Sequence, residues 1–394
     1  MRVLINTKDF KNPNAKNMTI QLNNPFVEYG YKGATYFCDR KKETEEIIRD
    51  LHNESNIALI APRRLGKSGL IQHVFEQMKE KEPDSICIYI DILHTKSQAD
   101  FAETFATRVI RSMDSNAQAA LRKATQFLKG IRPTMSFDEL TGEPSFSIDI
   151  QPSQEKSTIE QTFQYIARSG KRCYIAFDEF QQILEYPEKG TEALLRSMIQ
   201  FVPNAWFIFS GSLQHLMTDI FLSERHPFYL ASQMMTLNVI NEEKYRVFAN
   251  HFLSKQGRQF TEDNFHYLYS LVDGQTWYVQ EILHQLYEYP EARLERDDIN
   301  QALTQLLQRW SISFSALYQE LTENQARVLT AIAEEGRVKA PMSKDFMQKY
   351  HLPALSSTRQ ALQSLISQER LFHDENGYIV YDRFFAMWLR RLNG

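Results

Sequence analysis

Three consecutive residues, Gly66, Lys67 and Ser68, constrain this chain most, because an apolar run precedes them and a helical pattern follows them. The run before them is residues 57–60. After them, apolar residues recur at helical spacing, namely Leu70, Ile71, Val74, Phe75 and Met78. Strand, tight loop and helix start are the setting that a P-loop requires. The sequence therefore predicts an α/β fold that binds a nucleotide.

The loop residues have chemical reasons to face phosphates. Gly66 leaves its backbone N–H accessible, Lys67 would reach the β- and γ-phosphates, and the Ser68 hydroxyl would ligate Mg²⁺. The positive end of the following helix also favours an anion. We therefore expect the phosphates to be bound by Pro62, Arg63, Arg64, Leu65, Gly66, Lys67, Ser68 and Gly69.

Ala61 stands where the P-loop pattern has its first glycine. A residue before proline is pushed into the β or polyproline region, where φ is negative and a Cβ atom costs nothing. We therefore expect Pro62 to make Ala61 tolerable. The alternative is an ordinary loop that carries Lys67 on its surface, because a bare Gly-Lys-Ser is a common sequence.

A second apolar run, residues 173–177, ends in the paired acids Asp178 and Glu179. Ligands of open α/β sheets lie beyond the carboxyl ends of the strands, so Asp178 would face the Mg²⁺ on Ser68 and Glu179 the attacking water. Such a pair can also be a solvated strand end or a helix N-cap. The upstream phosphate loop favours a Walker B strand.

Two further apolar runs complete the predicted sheet. Residues 205–209 end in Ser210-Gly211-Ser212, where either serine would lie beside the γ-phosphate as a sensor, or the three residues form an ordinary turn. Residues 86–91 fit another buried parallel strand. Strands that alternate with helical stretches indicate a parallel sheet covered on both faces.

The rest of the chain suggests an insertion and two smaller domains. Residues 132–150 alternate around Thr141-Gly142 and predict a β-hairpin insertion, either an interaction arm or a decoration, in a nucleotide domain of residues 1–235. Residues 236–310 are helical in pattern and suit a lid. Residues 311–394 give three helices and a hairpin at Asn376-Gly377, which is the order of a winged helix.

These motifs together resemble the archaeal-type AAA-like ATPases of prokaryotes, which are relatives of the STAND NTPases and of archaeal initiator ATPases. The resemblance rests on Asn24-Pro25-Phe26, Tyr36-Phe37-Cys38-Asp39-Arg40 with Glu43 and Glu46, residues 62–68, Phe177-Asp178-Glu179-Phe180 and Ser210-Gly211-Ser212. It implies a P-loop parallel sheet, a helical lid, a C-terminal winged helix and ATP as the nucleotide. It also implies that Asp39 and Arg40 close over the adenine side, although Arg40 could equally be a solvated charge at a helix start.

Two positions differ from that family pattern. Thr276 stands in the lid segment where the family often has the proline of a Gly-x-Pro, and Arg225 is the nearest substitute for an arginine after the sensor strand. Arg225 is either a finger or a loop charge.

Composition narrows the partners and the compartment. A net charge of -4 with a pI near 6.2 gives no overall electrostatic footprint for nucleic acid. No apolar run reaches membrane-spanning length, and the N-terminus lacks a cleavage site. Three cysteines without metal-binding spacing indicate reduced thiols. We therefore expect a cytoplasmic protein with no membrane partner, whose oligomeric state the sequence leaves open.

The winged helix has two candidate partners, DNA and protein. Its third helix would present Ser356, Ser357, Thr358, Arg359 and Gln360, and candidate phosphate contacts are Arg383, Arg390 and Arg391. From residue 320 onward, however, the chain contains ten Lys/Arg and nine Asp/Glu. This near-neutral charge predicts weak non-specific DNA binding.

The sequence therefore predicts a Mg²⁺-dependent ATPase that acts as a nucleotide-driven switch or regulator. Its catalytic candidates are Lys67, Glu179, Ser210 and Ser212, and its metal ligands are Ser68 and Asp178. The rival interpretation is a DNA-binding or scaffolding protein whose nucleotide site is structural and hydrolyses slowly.

Overall fold

A computed structural model of the chain describes residues 23–113, 122, 126, 131–137, 144–151 and 153–393. The chain divides into two compact units, residues 1–238 and 239–394. Within the described residues, no helix is both long and apolar enough to cross a membrane.

The first unit alternates strands and helices. In chain order they are α1 (Lys41–His52), β1 (Ile57–Ile60), α2 (Lys67–Lys81), β2 (Ile86–Asp91), α3 (Gln98–Met113), β3 (Ile131–Phe137), β4 (Pro144–Ile150), α4 (Glu155–Arg168), β5 (Cys173–Asp178), α5 (Thr191–Phe201), β6 (Ala205–Gly211), α6 (Gln214–Leu222) and β7 (Gln233–Thr236).

Five of these strands form one parallel sheet in the order β2-β5-β6-β1-β7. The register pairs Ile60 with Gly211 and Asp91 with Asp178, so four strands end at one edge. Strands β1 and β5 are buried along their whole length, as expected of a sheet with helices on both faces. This confirms the predicted α/β core.

Helices cover both faces of the sheet, and a separate apolar cluster fills each side. On one face, aromatic side chains of β5 and β6, such as Phe177 and Phe207, pack against α3 and α4. On the other face, Leu59, Tyr174 and Ile208 pack against α1 and α2. The helix that follows the phosphate loop is therefore fixed to the sheet by its apolar side.

Strands β3 and β4 pair antiparallel, with Ile131 opposite Ile150 and Phe137 opposite Pro144. They form a two-stranded sheet apart from the main one, and β4 runs beside α3. The residues between them, 138–143, lie outside the described residues, so the turn predicted at Thr141-Gly142 is not described.

The second unit is helical before a small sheet. Its elements are α7 (Glu242–Leu253), α8 (Glu262–Leu271), α9 (Thr276–Tyr287), α10 (Arg296–Gln319), α11 (Glu323–Glu335), β8 (Arg337–Val338), α12 (Lys344–Lys349), α13 (Leu355–Ser367), β9 (Leu371–Asp374), β10 (Gly377–Val380) and α14 (Arg383–Asn393). Helix α10 runs unbroken for 24 residues. The limit expected at residue 310 therefore falls inside a continuous helix.

The last segment of the chain, residues 311–394, has the predicted winged-helix order. Helix α11 opens with a capping box between Thr322 and Gln325, and β9 and β10 pair through a turn that ends at Gly377, whose φ is 117°. A Cβ atom at position 377 would lie 2.5 Å from the Val338 carbonyl oxygen, so the turn requires glycine.

Aromatic and ionic contacts join the lid helices to the winged helix. The rings of Tyr278 on α9 and Phe384 on α14 lie 4.8 Å apart, and the Arg383 backbone N–H donates to the Tyr278 hydroxyl at 3.0 Å. The Arg383 guanidinium pairs with Asp273 at 2.7 Å. These contacts explain why the lid and the winged helix form one compact unit.

Candidate functional site

The phosphate loop connects β1 to α2 through two left-handed residues. Arg64 has a φ of 70° and Gly66 a φ of 91°, and Gly66 is the residue before the first turn of α2. Gly66 adopts this conformation without the steric cost that a Cβ atom brings. The left-handed positions of the loop are thus 64 and 66, which agrees with the expectation that position 61 accepts alanine.

Lys67 is buried rather than exposed, with 6% of its surface accessible. Its ammonium donates to the Ala61 carbonyl oxygen at 2.8 Å and to the Pro62 carbonyl oxygen at 3.3 Å. The alternative of a surface lysine on an ordinary loop is therefore wrong. The ammonium therefore bonds the start of α2 to the first two residues of the loop.

Asp178 lies at the end of β5 and accepts hydrogen bonds from two neighbouring elements. The Ser68 hydroxyl donates to Asp178 Oδ2 at 2.7 Å, and the Tyr89 hydroxyl on β2 donates to the same oxygen. Burial, reinforced by the Asp178 charge, raises the pKa of the Tyr89 phenol, so Tyr89 remains a donor. Asp178 is 4% exposed, which excludes a solvated strand end.

The Ser68 and Asp178 oxygens suit Mg²⁺. Adjacent ligands of an octahedral Mg²⁺ lie about 2.9 Å apart, and these two oxygens are 2.7 Å apart. Among the described residues, no group of three or more His, Cys, Asp or Glu side chains is arranged so that it could hold a metal ion by itself. Mg²⁺ in phosphate-binding sites needs only one or two carboxylates, because the phosphates and water supply the remaining oxygens.

Glu179 is held on the same edge by the end of β6. Its Oε2 accepts from the Ser212 hydroxyl at 2.7 Å, from the Ser212 backbone N–H at 3.3 Å and from the Gln181 side-chain amide at 2.6 Å. Its backbone is left-handed, with a φ of 56°. The side chain of Glu179 is thus fixed by three donors beside the Ser68 and Asp178 pair.

The two candidate sensor serines have different surroundings. Ser212 contacts Glu179, whereas Ser210 lies inside β6, fully buried, and its hydroxyl has no hydrogen-bond partner among the residues that the structure describes. The structure therefore brings Ser212, and not Ser210, to the acid pair.

Sequence reasoning missed Gln181, the second residue of the short 3-10 helix (Phe180–Glu185) that follows the acids. Its side chain is 4% exposed and fits against Gly211, where a Cβ atom would lie 2.4 Å from Gln181 Oε1. The glycine between the two serines therefore makes room for the amide that holds Glu179. The sequence shows that Gln181 lies two residues after Glu179, but only the fold shows that its amide reaches the Glu179 carboxylate.

Arg40 also reaches the phosphate loop. It is 3% exposed and donates to the Leu65 carbonyl oxygen at 3.2 Å and to Glu43 at 2.9 Å. Asp39 and Arg40 are both left-handed, with φ of 52° and 63°. The alternative of a solvated charge at a helix start is therefore wrong, because Arg40 is buried against the loop.

The segment before α1 lies along the start of α2. Phe37 stacks on His73 with ring centroids 4.4 Å apart, and a Cβ atom at Gly69 would lie 3.6 Å from the Phe37 ring. Tyr31 adds a hydrogen bond to His73 at 2.7 Å. Residues 31–40 are therefore anchored beside the helix that carries Lys67 and Ser68.

In the lid, the segment compared with the family's Gly-x-Pro forms the turn between α8 and α9. Gly274 has a φ of 64°, and a Cβ atom there would lie 2.2 Å from the Tyr269 ring. Thr276 is the first residue of α9. Proline is favoured at a first helical position, but other residues fit it too, so threonine there leaves the turn intact.

The arginines proposed for DNA contact are mostly engaged within the protein. Arg383 is 6% exposed and pairs with Asp273, Arg390 donates to the Ala333 carbonyl oxygen, and Arg391 donates to the Thr304 hydroxyl at 3.0 Å. Arg359, on α13, is exposed. Arg383 is therefore a structural residue, whereas Arg359, Arg390 and Arg391 are exposed.

Comparison with known families decides the identity of this fold. Residues 37–282 match the family described as an ATPase domain predominantly from Archaea, and residues 312–391 match a probable winged helix domain. The chain belongs to this ATPase family. The resemblance that the motifs suggested is thereby confirmed, as is the C-terminal winged helix.

Two relatives are ATP-binding proteins of Methanocaldococcus jannaschii. One is 22% identical over 89% of this chain and 98% of its own length. The other is 23% identical over 64% of this chain and 70% of its own length. The ATPase family and these relatives make this chain an ATP-binding protein of the archaeal ATPase type.

Solved structures show the same fold at low identity. A Walker-type ATPase of Pyrococcus abyssi has a TM-score of 0.63 at 17% identity, covering 93% of this chain and 99% of its own. The ORC2 protein of Aeropyrum pernix, solved in ADPNP and ADP complexes, has 0.58 at 12%, covering 94% and 98%. The ORC1 protein of the same organism, solved with DNA, has 0.54 at 14%, covering 93% and 96%.

Proposed function

We propose that this ATPase-family protein is a Mg²⁺-dependent ATP hydrolase that works as a nucleotide-driven switch. The observation that supports this most is the meeting of Ser68, Asp178, Glu179 and Ser212 at the carboxyl ends of neighbouring strands, beside the Lys67 ammonium. The ends of parallel strands are where α/β proteins of this kind bind and react their ligands.

Each side chain has a part in this proposal. Ser68 and Asp178 would hold Mg²⁺, which when bound neutralises charge on the phosphate oxygens. Lys67 would exchange its bonds to the Ala61 and Pro62 carbonyl oxygens for bonds to phosphate. Glu179 would orient the attacking water and accept its proton, with Ser212 and Gln181 setting the direction of the carboxylate. Asp39 and Arg40 would border the adenine side.

The switch part of the proposal concerns the second unit, residues 239–394. A protein with a winged helix would use ATP turnover to change what that unit binds. The rival is a DNA-binding or scaffolding protein with a slowly hydrolysing site. The test is phosphate release by the full chain with ATP and Mg²⁺, compared with the same mixture in EDTA.

We expect Ser212→Ala to lower ATP turnover about tenfold, because Glu179 loses a charge-assisted hydrogen bond that fixes its carboxylate. The matched control is Ser210→Ala, which removes a buried hydroxyl for which the described structure shows no partner. That control should turn over ATP at the wild-type rate and be no less stable. Equal effects of the two changes on steady-state phosphate release would contradict a role for Ser212 in positioning Glu179.

The partner of the winged helix is the second point to test. If α13 contacts duplex DNA, Arg359→Ala should lower the slope of log affinity against log salt by about one unit. The measurement needs the full chain, because a fragment starting at residue 311 would cut α10. Arg370→Ala is a matched control, since Arg370 pairs with Glu320. No binding to duplex DNA at low salt, with or without ATP, would favour a protein partner.

A further inference from the structure

We propose that Tyr89 is a positioning residue of this site, which fixes the Asp178 carboxylate in the direction needed to hold Mg²⁺. The proposal rests on the proposed ATPase function and adds to it a residue from a strand that carries no nucleotide-binding motif. Tyr89 would not touch the metal or the nucleotide. It would act through Asp178.

The sheet register explains why Tyr89 can reach Asp178. Tyr89 on β2 lies opposite Ala176 on β5, two residues before Asp178. Residues two apart on a strand point to the same face, so Tyr89, Ala176 and Asp178 all project toward α2. Ala176 is small, which leaves space for the phenol to lie across the strand and meet the carboxylate. Tyr89 also packs against the apolar cluster of this face, which fixes its ring.

The hydrogen bonds at Asp178 divide between its two oxygens. Oδ2 accepts from the Tyr89 phenol and from the Ser68 hydroxyl, and Oδ1 accepts from the Glu179 backbone N–H at 3.1 Å. Ser68 has a second task in the proposed mechanism, because its oxygen would ligate the metal. A phenol remains protonated at neutral pH and has no such task, so it can hold Oδ2 throughout.

Groups that orient metal ligands have measurable effects on metal affinity. Loss of a hydrogen bond to a ligating side chain typically weakens metal binding by about 10- to 100-fold. The carboxylate would remain at position 178 without Tyr89, but Oδ2 would keep only the hydrogen bond from Ser68, whose oxygen would also ligate the metal. The expected result is therefore a weaker response to Mg²⁺, with the nucleotide-binding loop unchanged.

The experiment is Tyr89→Phe in the full chain, with Tyr174→Phe as the matched control. Tyr174 is on β5 in the same sheet, and its hydroxyl donates to a different carboxylate, that of Glu82, at 2.9 Å. It lies four residues before Asp178, or about 13 Å along the strand. Both changes remove one phenol-to-carboxylate hydrogen bond and keep the ring, so they should cost similar stability.

Two quantities are measured for each protein: the Mg²⁺ concentration that gives half-maximal phosphate release, and the affinity for a fluorescent ATP analogue with Mg²⁺ or with EDTA. For Tyr89→Phe we expect the half-maximal Mg²⁺ concentration to rise about tenfold or more. We also expect the gain in analogue affinity on adding Mg²⁺ to shrink, while the affinity in EDTA stays at the wild-type value. Tyr174→Phe should match the wild type in both.

Several results would overturn the proposal. One is an unchanged Mg²⁺ requirement in Tyr89→Phe, and another is an equal loss of affinity with Mg²⁺ and with EDTA, which would indicate packing alone. If ATP binding and hydrolysis by the wild type do not depend on Mg²⁺, the proposed function is wrong, and so is the proposed role of Tyr89. If the wild type depends on Mg²⁺ and Tyr89→Phe has the same Mg²⁺ requirement, only the proposed role of Tyr89 is wrong.

Discussion

Replacing Lys67 by alanine should abolish ATP binding, with a fall in affinity of about 100-fold or more. In the proposed site the Lys67 ammonium binds the phosphates, and each hydrogen bond from a charged group contributes about 1.5–3 kcal/mol. Two such bonds to phosphate oxygens are worth more than the 2.7 kcal/mol that a 100-fold change in affinity represents, about 1.4 kcal/mol for each factor of ten.

The structure changes how this variant must be controlled. Lys67 is buried, and its ammonium donates to the Ala61 and Pro62 carbonyl oxygens. Lys67→Ala therefore also removes two hydrogen bonds within the loop. We expect a small loss of thermal stability. Lys79→Ala removes the same charge from an exposed position in the last turn of α2 and should bind ATP normally.

Affinity is measured by titrating a fluorescent ATP analogue, and the fold by thermal unfolding. Normal affinity in Lys67→Ala would show that residues 61–69 do not form the phosphate site. A variant that is unfolded would not answer the question, so Lys67→Met, which keeps the aliphatic part of the side chain, is measured beside it. A folded Lys67→Met that binds ATP as well as the wild type would contradict the assignment equally.

The parts of the fold that the sequence predicts are those set by local patterns. Strands β1, β5 and β6 appear as apolar runs with polar ends, because each is buried on both faces of a parallel sheet. The Asn376-Gly377 turn and the Thr322 cap are likewise fixed by a few adjacent residues. Local patterns of this kind do not depend on how distant segments meet.

The parts that the sequence misses depend on register between distant strands. Tyr89 and Asp178 are 89 residues apart, and only the pairing of β2 with β5 brings them together. The choice between Ser210 and Ser212 is similar, since strand alternation gives both serines one face. Ser212 differs because it follows the end of β6, where the chain turns toward Glu179.

Helix α10 spans residue 310, where the sequence predicts the limit between the lid and the winged helix. The residues from Arg296 to Gln319 include no glycine or proline, so nothing in the sequence ends the helix near residue 310. The helix runs from the predicted lid into the predicted winged helix. Near its end, Phe314 packs against Phe385 and Trp388 of α14.

Glu179→Gln should keep ATP and Mg²⁺ binding but lose turnover by about 100-fold or more, the usual effect of removing a general base. Glutamine has nearly the same shape and retains an oxygen that can accept from Ser212 and Gln181. Its amide cannot take a proton from water. The change therefore separates the chemical step from binding, which Lys67→Ala does not.

Phosphate release is measured at saturating ATP and Mg²⁺, and affinity is measured by titration of the fluorescent analogue. Glu185→Gln makes the same acid-to-amide change at an exposed position in the short helix that follows Glu179, and it should behave as the wild type. If Glu179→Gln hydrolyses ATP as fast as a wild type with substantial turnover, another group positions the water. If the wild type is itself as slow as Glu179→Gln while both bind ATP, the nucleotide site is structural. In that case Glu179 would contribute nothing to hydrolysis, although Ser212 and Gln181 hold its carboxylate in place. The function of the protein would then lie in what the winged helix binds.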